Sequence, residues 1–405
     1  THNYHKFETF KSCTALSLPN QLRALGYRTA QLGKLHVAPQ VVYDFDTYLR
    51  QPHGNNTPSW IESCKPLFKE KSDKPFFLYL GTIDPHRSGG VVPDVPEKHK
   101  PNRFGNPLPG KKYPGTEEVI YDPAKVAVPA FLPDTIEARR EIAQYYQSCT
   151  RTDKALGKLI TALKETGQYD NTMIIFTADH GMAFPGAKTT VYEAGLHVPF
   201  IVKMPGQKKG VVSNAMISHI DITPTLIDVA GGLDSGKGGP KKLLPTPKVS
   251  KGENAGKKFS RYHGRSWLGI LENENPKGWD EIMGSHTFHE IQMYYPMRSV
   301  RGRQYKLIWN IASPLPYPFA TDLWAASTWQ AQYQQGTDAN YGNRSVHSYI
   351  HRPKFELYDI SKDPAETTNL STNPKFAEKL EERKKRLKQL QQKTQDPWIL
   401  KWSYE

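Results

Sequence analysis

The chain has 405 residues, 37% of them hydrophobic, and a formal charge of +14 from 54 Lys and Arg against 40 Asp and Glu. That length can bury one large core, or a large and a small one. No run of about 18 apolar residues could span a bilayer, so a soluble globular protein is expected. The charge points to an anionic partner (nucleic acid, a membrane surface, or a sulfated or phosphorylated substrate), set against the plainer reading of a lysine-rich solvated surface. Cys13, Cys64 and Cys149 are too few and too scattered for a disulfide framework or a zinc knuckle. The opening Thr1-His2-Asn3-Tyr4-His5-Lys6 reads as neither a signal peptide nor an initiator methionine, so the interior of a longer chain is expected there. The sequons at Asn55, Asn343 and Asn369 permit glycosylation and decide nothing.

In chain order, Leu18 to Leu25 reads as a helix closed by Gly26, and Tyr27 to Leu32 as a strand ending in Gly33-Lys34-Leu35-His36. Phe76 to Leu80 is a second strand, ending in Asp84-Pro85-His86. Proline and charge from Pro93 to Pro133 predict a long surface excursion rather than an element of the core. Apolar residues at helical spacing (Ile142, Tyr145, Tyr146, Leu156, Leu159, Ile160, Leu163) predict a helix over Ile136 to Glu165, stopped by Gly167. The next strand, Met173 to Phe176, runs into Thr177-Ala178-Asp179-His180-Gly181. A carboxylate and an imidazole at a strand's C-terminal end make a metal-site or acid/base arrangement, and Lys188 adds a positive charge for an anionic group.

Val198 to Val202 and Ile217 to Asp221 read as further strands, the second ending in an acid. Gly231 to Lys258 reads as a flexible basic loop. Gly284 to His289, Met297 to Val300 and Gln304 to Trp309 predict short strands, with a turn at Arg301-Gly302-Arg303. Phe376 to Lys393 predicts an amphipathic helix with Phe376, Leu380, Leu387 and Leu390 inward. The alternation of strands and helices argues for an α/β fold, a large mainly parallel sheet sandwiched by helices over residues 1–285, with a smaller C-terminal α+β domain over 286–405. Separate strands then deliver Lys34 and His36, His86, and Asp179 and His180 to one edge of the sheet.

These motifs in this order resemble the sulfatases of the alkaline phosphatase superfamily. The matching stretches are Leu25 to Ala30 through Gly33-Lys34-Leu35-His36, Asp84-Pro85-His86-Arg87, Thr177 to Gly181 with Lys188 and Tyr192-Glu193-Ala194-Gly195, and Ile220 to Thr225. Within the family the chain is most similar to the heparan N-sulfatase branch. That likeness rests on Gly33 to Pro39, Asp84 to Arg87, Ser285-His286 with His289-Glu290, Tyr295 to Val300, and Phe355 to Asp359 with Asp363-Pro364.

The resemblance implies that Asp179 is a ligand of the catalytic Ca2+ (or Mg2+). His180 stands at the adjacent ligand position or makes a hydrogen bond beside it. Lys34 and His36 match the pair that contacts a formylglycine nucleophile and the sulfate, His86 the acid that protonates the leaving atom, and Lys188 the lysine on a sulfate oxygen. His286, His289, Glu290 and Arg298 fall where this branch lines its sugar pocket, and they read equally well as surface residues. Asp221 reads as an N-cap and Glu193 as structural.

The family also carries two further aspartates after a first strand and a Cys-x-Pro/Ala-x-Arg motif. Neither is in this chain. Cys13-Thr14-Ala15-Leu16-Ser17 imitates that motif for three positions only, so Cys13 reads as a packing residue. An upstream segment is expected to supply the formylglycine cysteine, the two carboxylates and the first strand, whose loss would leave an exposed edge or a gap in the central sheet. Without them no turnover is expected.

The implied activity is hydrolysis of sulfate ester or N-sulfate groups of a sulfated saccharide. The implied setting is secreted, periplasmic or lysosomal, with no nucleic-acid partner, no transmembrane segment, and room for a homodimer. A phosphomonoesterase or phosphodiesterase of the same superfamily, and a non-catalytic polyanion-binding protein on this scaffold, are the alternatives.

Overall fold

Pro19 in a first turn and Gly26 just beyond the last delimit α1 (Leu18–Ala24), because proline needs no amide partner at a helix start and Gly26 takes the left-handed conformation that ends it (φ 93°). The structure, a computed structural model, describes residues 9–52, 54–88, 103–208, 210–246, 259–289 and 293–404. After α1 the chain enters β1 (Arg28–Gly33), whose four middle residues are all buried, as a central parallel strand requires. It is flanked in parallel by β2 (Thr47–Leu49) and β3 (Phe76–Gly81), giving the order β2-β1-β3. The short helices α2 (Thr57–Trp60) and α3 (Lys65–Lys69) place Trp60, Leu67 and Phe68 beneath this sheet, against Ala162 and Leu163 of the long helix α4 (Ile136–Glu165). Thr135 caps α4 by accepting the Ala138 amide at 3.3 Å, and its 30 residues make a rod of about 45 Å.

β4 (Ile174–Thr177) leads through the one-turn helix α5 (Glu193–Leu196) to β5 (Phe200–Lys203). β4 and β5 depart from the mainly parallel pattern by pairing antiparallel, with Thr177 opposite Phe200. The intervening residues fold over the strand end instead of crossing the sheet, so the chain re-enters where it left. Ile217 to Asp221 is not a strand either. Ser218 and Asp221 form a reciprocal capping box that turns His219–Asp221 into a 3-10 helix opening α6 (Ile222–Val229). Asp221 therefore acts as the far partner of a cap at Ser218, not as the capping side chain of α6.

Among the described residues β3 pairs with β1 alone and β4 with β5 alone. A cavity of about 2020 Å³, lined by every residue of β3 and β4, separates them. That is the gap in the central sheet expected from the sequence.

Residues 93–102 of the expected surface excursion lie outside the described residues, and the rest corrects it: Phe104, Val126 and Leu132 are buried in the main core. Phe104 packs on Tyr145 and Phe184 although its backbone forms no helix or strand. Residues 247–258 of the basic loop also lie outside the described residues, and its first part forms the small hairpin β6 (Leu233–Asp234) and β7 (Gly239–Pro240).

The C-terminal region is built on β8 (Glu281–His289), β9 (Met293–Gly302) and β10 (Tyr305–Asn310). There follow the helices α7 (Thr321–Trp324) and α8 (Ser327–Tyr333), the hairpin β11 (Asn340–Tyr341) and β12 (Arg344–Ser345), and the helix α9 (Val346–Ile350). β13 (Phe355–Asp359) completes an antiparallel sheet of order β13-β10-β9-β8, and α10 (Ala377–Thr394) covers it. The expected break between residues 285 and 286 thus falls inside β8.

The sheet is buried on both faces. Met297, Ile308 and Tyr358 face the main core, whereas Val300, Leu307, Trp309 and Leu357 pack on Leu387 of α10, with Phe376, Leu380 and Leu390 at the margin as the amphipathic pattern predicted. Arg298 lies on the α10 side. It grips Asp396 with Nε donating to Oδ2 at 2.6 Å and Nη2 to Oδ1 at 3.0 Å, both side chains fully buried. This corrects the reading of Arg298 as a pocket residue, because its donors are consumed by a structural clip. Breaking a buried pair strands the partner charge, so Arg298→Ala should lower unfolding free energy by about 3–5 kcal/mol. Urea denaturation measures this, and an unchanged midpoint would remove the clip from the account.

Candidate active site

The site forms where three strands end. Lys34, the first residue after β1, donates its amide to Gly81 O at 2.7 Å, so β1 and β3 terminate level with each other. Gly33 makes this possible: at φ 85° it lies against the Gly81 carbonyl and Trp60, where any Cβ would collide. Lys34 and His36 follow β1, His86 follows β3, and Asp179 and His180 follow β4. All line the cavity together with Lys188, His289 and Asp322.

His86 is held by its neighbours. The Asp84 carboxylate turns inward and receives Nε and Nη2 of Arg151, each at 3.0 Å, together with the Ser148 hydroxyl and the Asn55 amide, both at 2.9 Å. On the other side, the buried Arg87 pairs with Glu141 at 2.7 Å and donates from Nε to Asp322 O at 3.0 Å. Asp84 and Arg87 both anchor on α4, leaving His86 between them facing the cavity. The imidazole is pushed down to about 4 by burial and by the charges of Lys188 and Lys34, with Asp322 opposing. It is therefore neutral at pH 7 with the cavity free of anions, and an anion there would raise it.

Lys188 is only 2% exposed and is ion-paired to Asp322 Oδ2 at 2.7 Å. Asp322 escaped the sequence reading because it lies 134 positions from Lys188, in a four-residue helix with no strand before it. The loop of Asp179 and His180 is pinned at Gly181, whose amide donates to Gly195 O at 2.9 Å and whose Cα packs so closely on the Ala194 carbonyl that no side chain fits.

The Asp179 side chain is 82% exposed, and His180 Nε2 stands 3.6 Å from Asp179 Oδ2. His180 Nδ1 lies 2.8 Å from Gly181 O, which selects the tautomer with its proton on Nδ1 and leaves a bare Nε2 beside the carboxylate. Two lone-pair donors facing each other fit a divalent cation. No group of three or more His, Cys, Asp or Glu suited to a metal occurs among the described residues. Burial lowers the pKa of both His36 and His219, Lys34 lowers that of His36 further, and the negative charge of Asp179 opposes the fall in each. His219, also on the cavity wall, was missed because its segment was read as a strand.

The expected sugar-pocket residues separate. His289 joins the cavity, Glu290 lies outside the described residues, and Arg298 belongs to the clip. His286 is buried within the sheet, with Nδ1 3.1 Å from Tyr295 O, away from the cavity wall. Glu193 is structural, its carboxylate receiving Lys306 at 2.9 Å and Arg301 at 3.3 Å. Cys13 sits in a short 3-10 helix and is no part of the lining.

A helix-covered sheet with Lys34, His36, His86, Asp179 and His180 gathered at its strand ends is an alkaline phosphatase-like architecture. A family model described as "Sulfatase" matches residues 2–233. Human N-sulphoglucosamine sulphohydrolase is 34% identical over 98% of this chain and 77% of its own length. An ulvan-active sulfatase of Formosa agariphila is 26% identical over 89% of this chain and 61% of its own. Among solved structures, one in complex with its substrate D-glucosamine-2-N,6-O-disulfate superposes with TM-score 0.58 at 18% identity, covering 98% of this chain and 90% of that one. A phosphonate monoester hydrolase of Agrobacterium radiobacter gives TM-score 0.56 at 16% identity, over 92% and 79%.

The chain belongs to the sulfatase family, and its class is sulfuric ester or sulfamate hydrolase. No helix among the described residues is long and apolar enough to cross a membrane.

His86, His286 and His289 are each pushed down to about 4, chiefly by burial. Between about pH 6.5 and 4 the unfolded chain binds protons there that the folded chain does not, so stability is full above pH 6.5 and lost as pH falls through that window. His286 alone contributes about 3 kcal/mol, and the more accessible His86 and His289 less. Denaturant midpoints measured from pH 7 to 4 should fall steeply, and His286→Gln should flatten the slope.

Proposed function

We propose that the protein removes sulfate from a sulfated saccharide of the glycosaminoglycan kind, as an N-sulfate or an O-sulfate, with Lys34, His36, His86 and Lys188 as its catalytic residues. The observation that carries this is that Lys34, His86 and Lys188 line the same cavity as Asp179. Two lysines there neutralise the oxygens of a bound sulfate, and Asp322 orients the Lys188 ammonium toward them. A bound dianion or monoanion raises the His86 pKa from about 4, so that its imidazolium gives a proton to the departing nitrogen or oxygen. His36 and Lys34 face the position where attack on sulfur occurs, and His289 lines the saccharide side.

Asp179 and His180 would hold part of the shell of a Ca2+ or Mg2+ ion, which would supply Lewis-acid polarisation, and a formylglycine would supply the nucleophile. A secreted, periplasmic or lysosomal setting accords with the relatives. His86→Ala in the full-length protein should lower sulfate release from N-sulfoglucosamine or an O-sulfated analogue by about 10²–10⁴-fold. Unchanged release would overturn the assignment of the acid, and hydrolysis of phosphate monoesters alone would overturn the sulfatase reading.

A further inference from the structure

Behind the C-terminal sheet, on the side of α10 rather than the catalytic cavity, lies a second groove of about 360 Å³. Its wall carries five lysines against one glutamate, and the lysines come from three separate segments. Lys384, Lys385 and Lys388 sit at helical spacing on one stripe of α10, Lys354 precedes β13, and Lys401 belongs to the C-terminal 3-10 helix.

The floor is aromatic. Trp309 and Trp402 lie with ring centroids 4.0 Å apart, and Phe355 stacks on Trp402 at 5.8 Å and 16°. Lys384 stands 4.3 Å over Phe355 and Lys388 4.6 Å over Trp402. A plain solvated face has charges along one helix. Here three segments bring lysines around the half-buried rings of Phe355 and Trp402.

We propose that this groove is a second, non-catalytic site that holds a sulfated polysaccharide chain. Lys384 is paired with Glu381 at 2.7 Å, while Lys385 and Lys388 are exposed, and cations presented on one groove attract a polyanion that releases its condensed counterions on binding. The half-buried rings of Phe355 and Trp402 suit the apolar faces of sugars, whereas Trp309 is buried beneath them. Val300, Leu307, Trp309 and Leu357 face α10 while Met297, Ile308 and Tyr358 face the main core, so the four-stranded sheet stands between groove and catalytic cavity. The two sites thus take different parts of one polymer, and the groove raises the effective concentration of the polymer at the cavity. The nature of the ligand rests on the sulfated-saccharide reading above.

The test uses heparin as probe. Lys385→Glu with Lys388→Glu, on the exposed face of α10, should weaken heparin binding roughly tenfold or more near 0.15 M salt and reduce the salt slope by about two, one per lysine. Lys111→Glu with Lys112→Glu, an equal charge change elsewhere on the surface, should do much less. Desulfated heparin should not bind.

In the full-length enzyme the α10 variant should raise KM for the polymer several-fold and leave turnover of a sulfated monosaccharide unchanged. Equal losses from the two variants, or single-stranded DNA bound as tightly as heparin through the same lysines, would overturn the proposal. Circular dichroism and the milder pair Lys385→Gln with Lys388→Gln separate lost binding from lost folding. Absence of monosaccharide turnover in the unaltered enzyme would count against the catalytic reading alone, since heparin binding is measured independently.

Discussion

The site depends on the buried ion pair between Asp84 and Arg151. A carboxylate with no solvent contact is costly unless its oxygens are satisfied, and Asp84 has Arg151, Ser148 and Asn55 around it. Burial pushes its pKa up, and the Arg151 guanidinium and these hydrogen bonds oppose that rise. The same guanidinium reaches Asn106 at 2.5 Å and Phe104 O at 3.0 Å. One arginine on α4 therefore ties the end of β3 to the irregular segment over the core, and the position of His86 follows from that tie.

A second network continues from it. Glu141, ten residues before Arg151 on α4, receives Arg87 and also the Ser327 and Thr328 amides at 3.0 and 3.1 Å, which fixes the start of α8. Arg87 holds the Asp322 carbonyl and Asp322 holds Lys188. The chain of contacts runs from the helix through the loop of His86 to the lysine, so the cationic wall is assembled from segments more than 200 positions apart (Arg87 to Asp322, 235). Rigid placement of charge before any anion arrives is the condition for electrostatic stabilisation to work.

The large elements were legible where local pattern and burial agree. The helix over Ile136 to Glu165 and the strand Phe76 to Leu80 appear as read, the latter longer by Gly81. Asp179, Lys34, His36, His86 and Lys188 stood out because each occupies a recognisable motif after a strand or close to one. Ile217 to Asp221 misled because its apolar residues imitate a strand, whereas capping by Ser218 and Asp221 decides its conformation. Phe104 was hidden in a proline-rich stretch whose composition suggests surface. Arg298 was misplaced because alternation along β9 turns it toward α10 and Asp396, a partner 98 positions away.

What the amino-acid order determined by itself was therefore the set of short-range facts: helix and strand segments, the motifs at strand ends, and the sign of the charge. These follow from interactions between residues close along the chain. Tertiary structure alone decided that β5 returns antiparallel to β4, that Asp322 serves Lys188, and that Arg298 is a clip. Each of these depends on the pairing of groups far apart in the chain and on burial. Periodicity and local motifs carry no information about which distant carboxylate a buried cation will find.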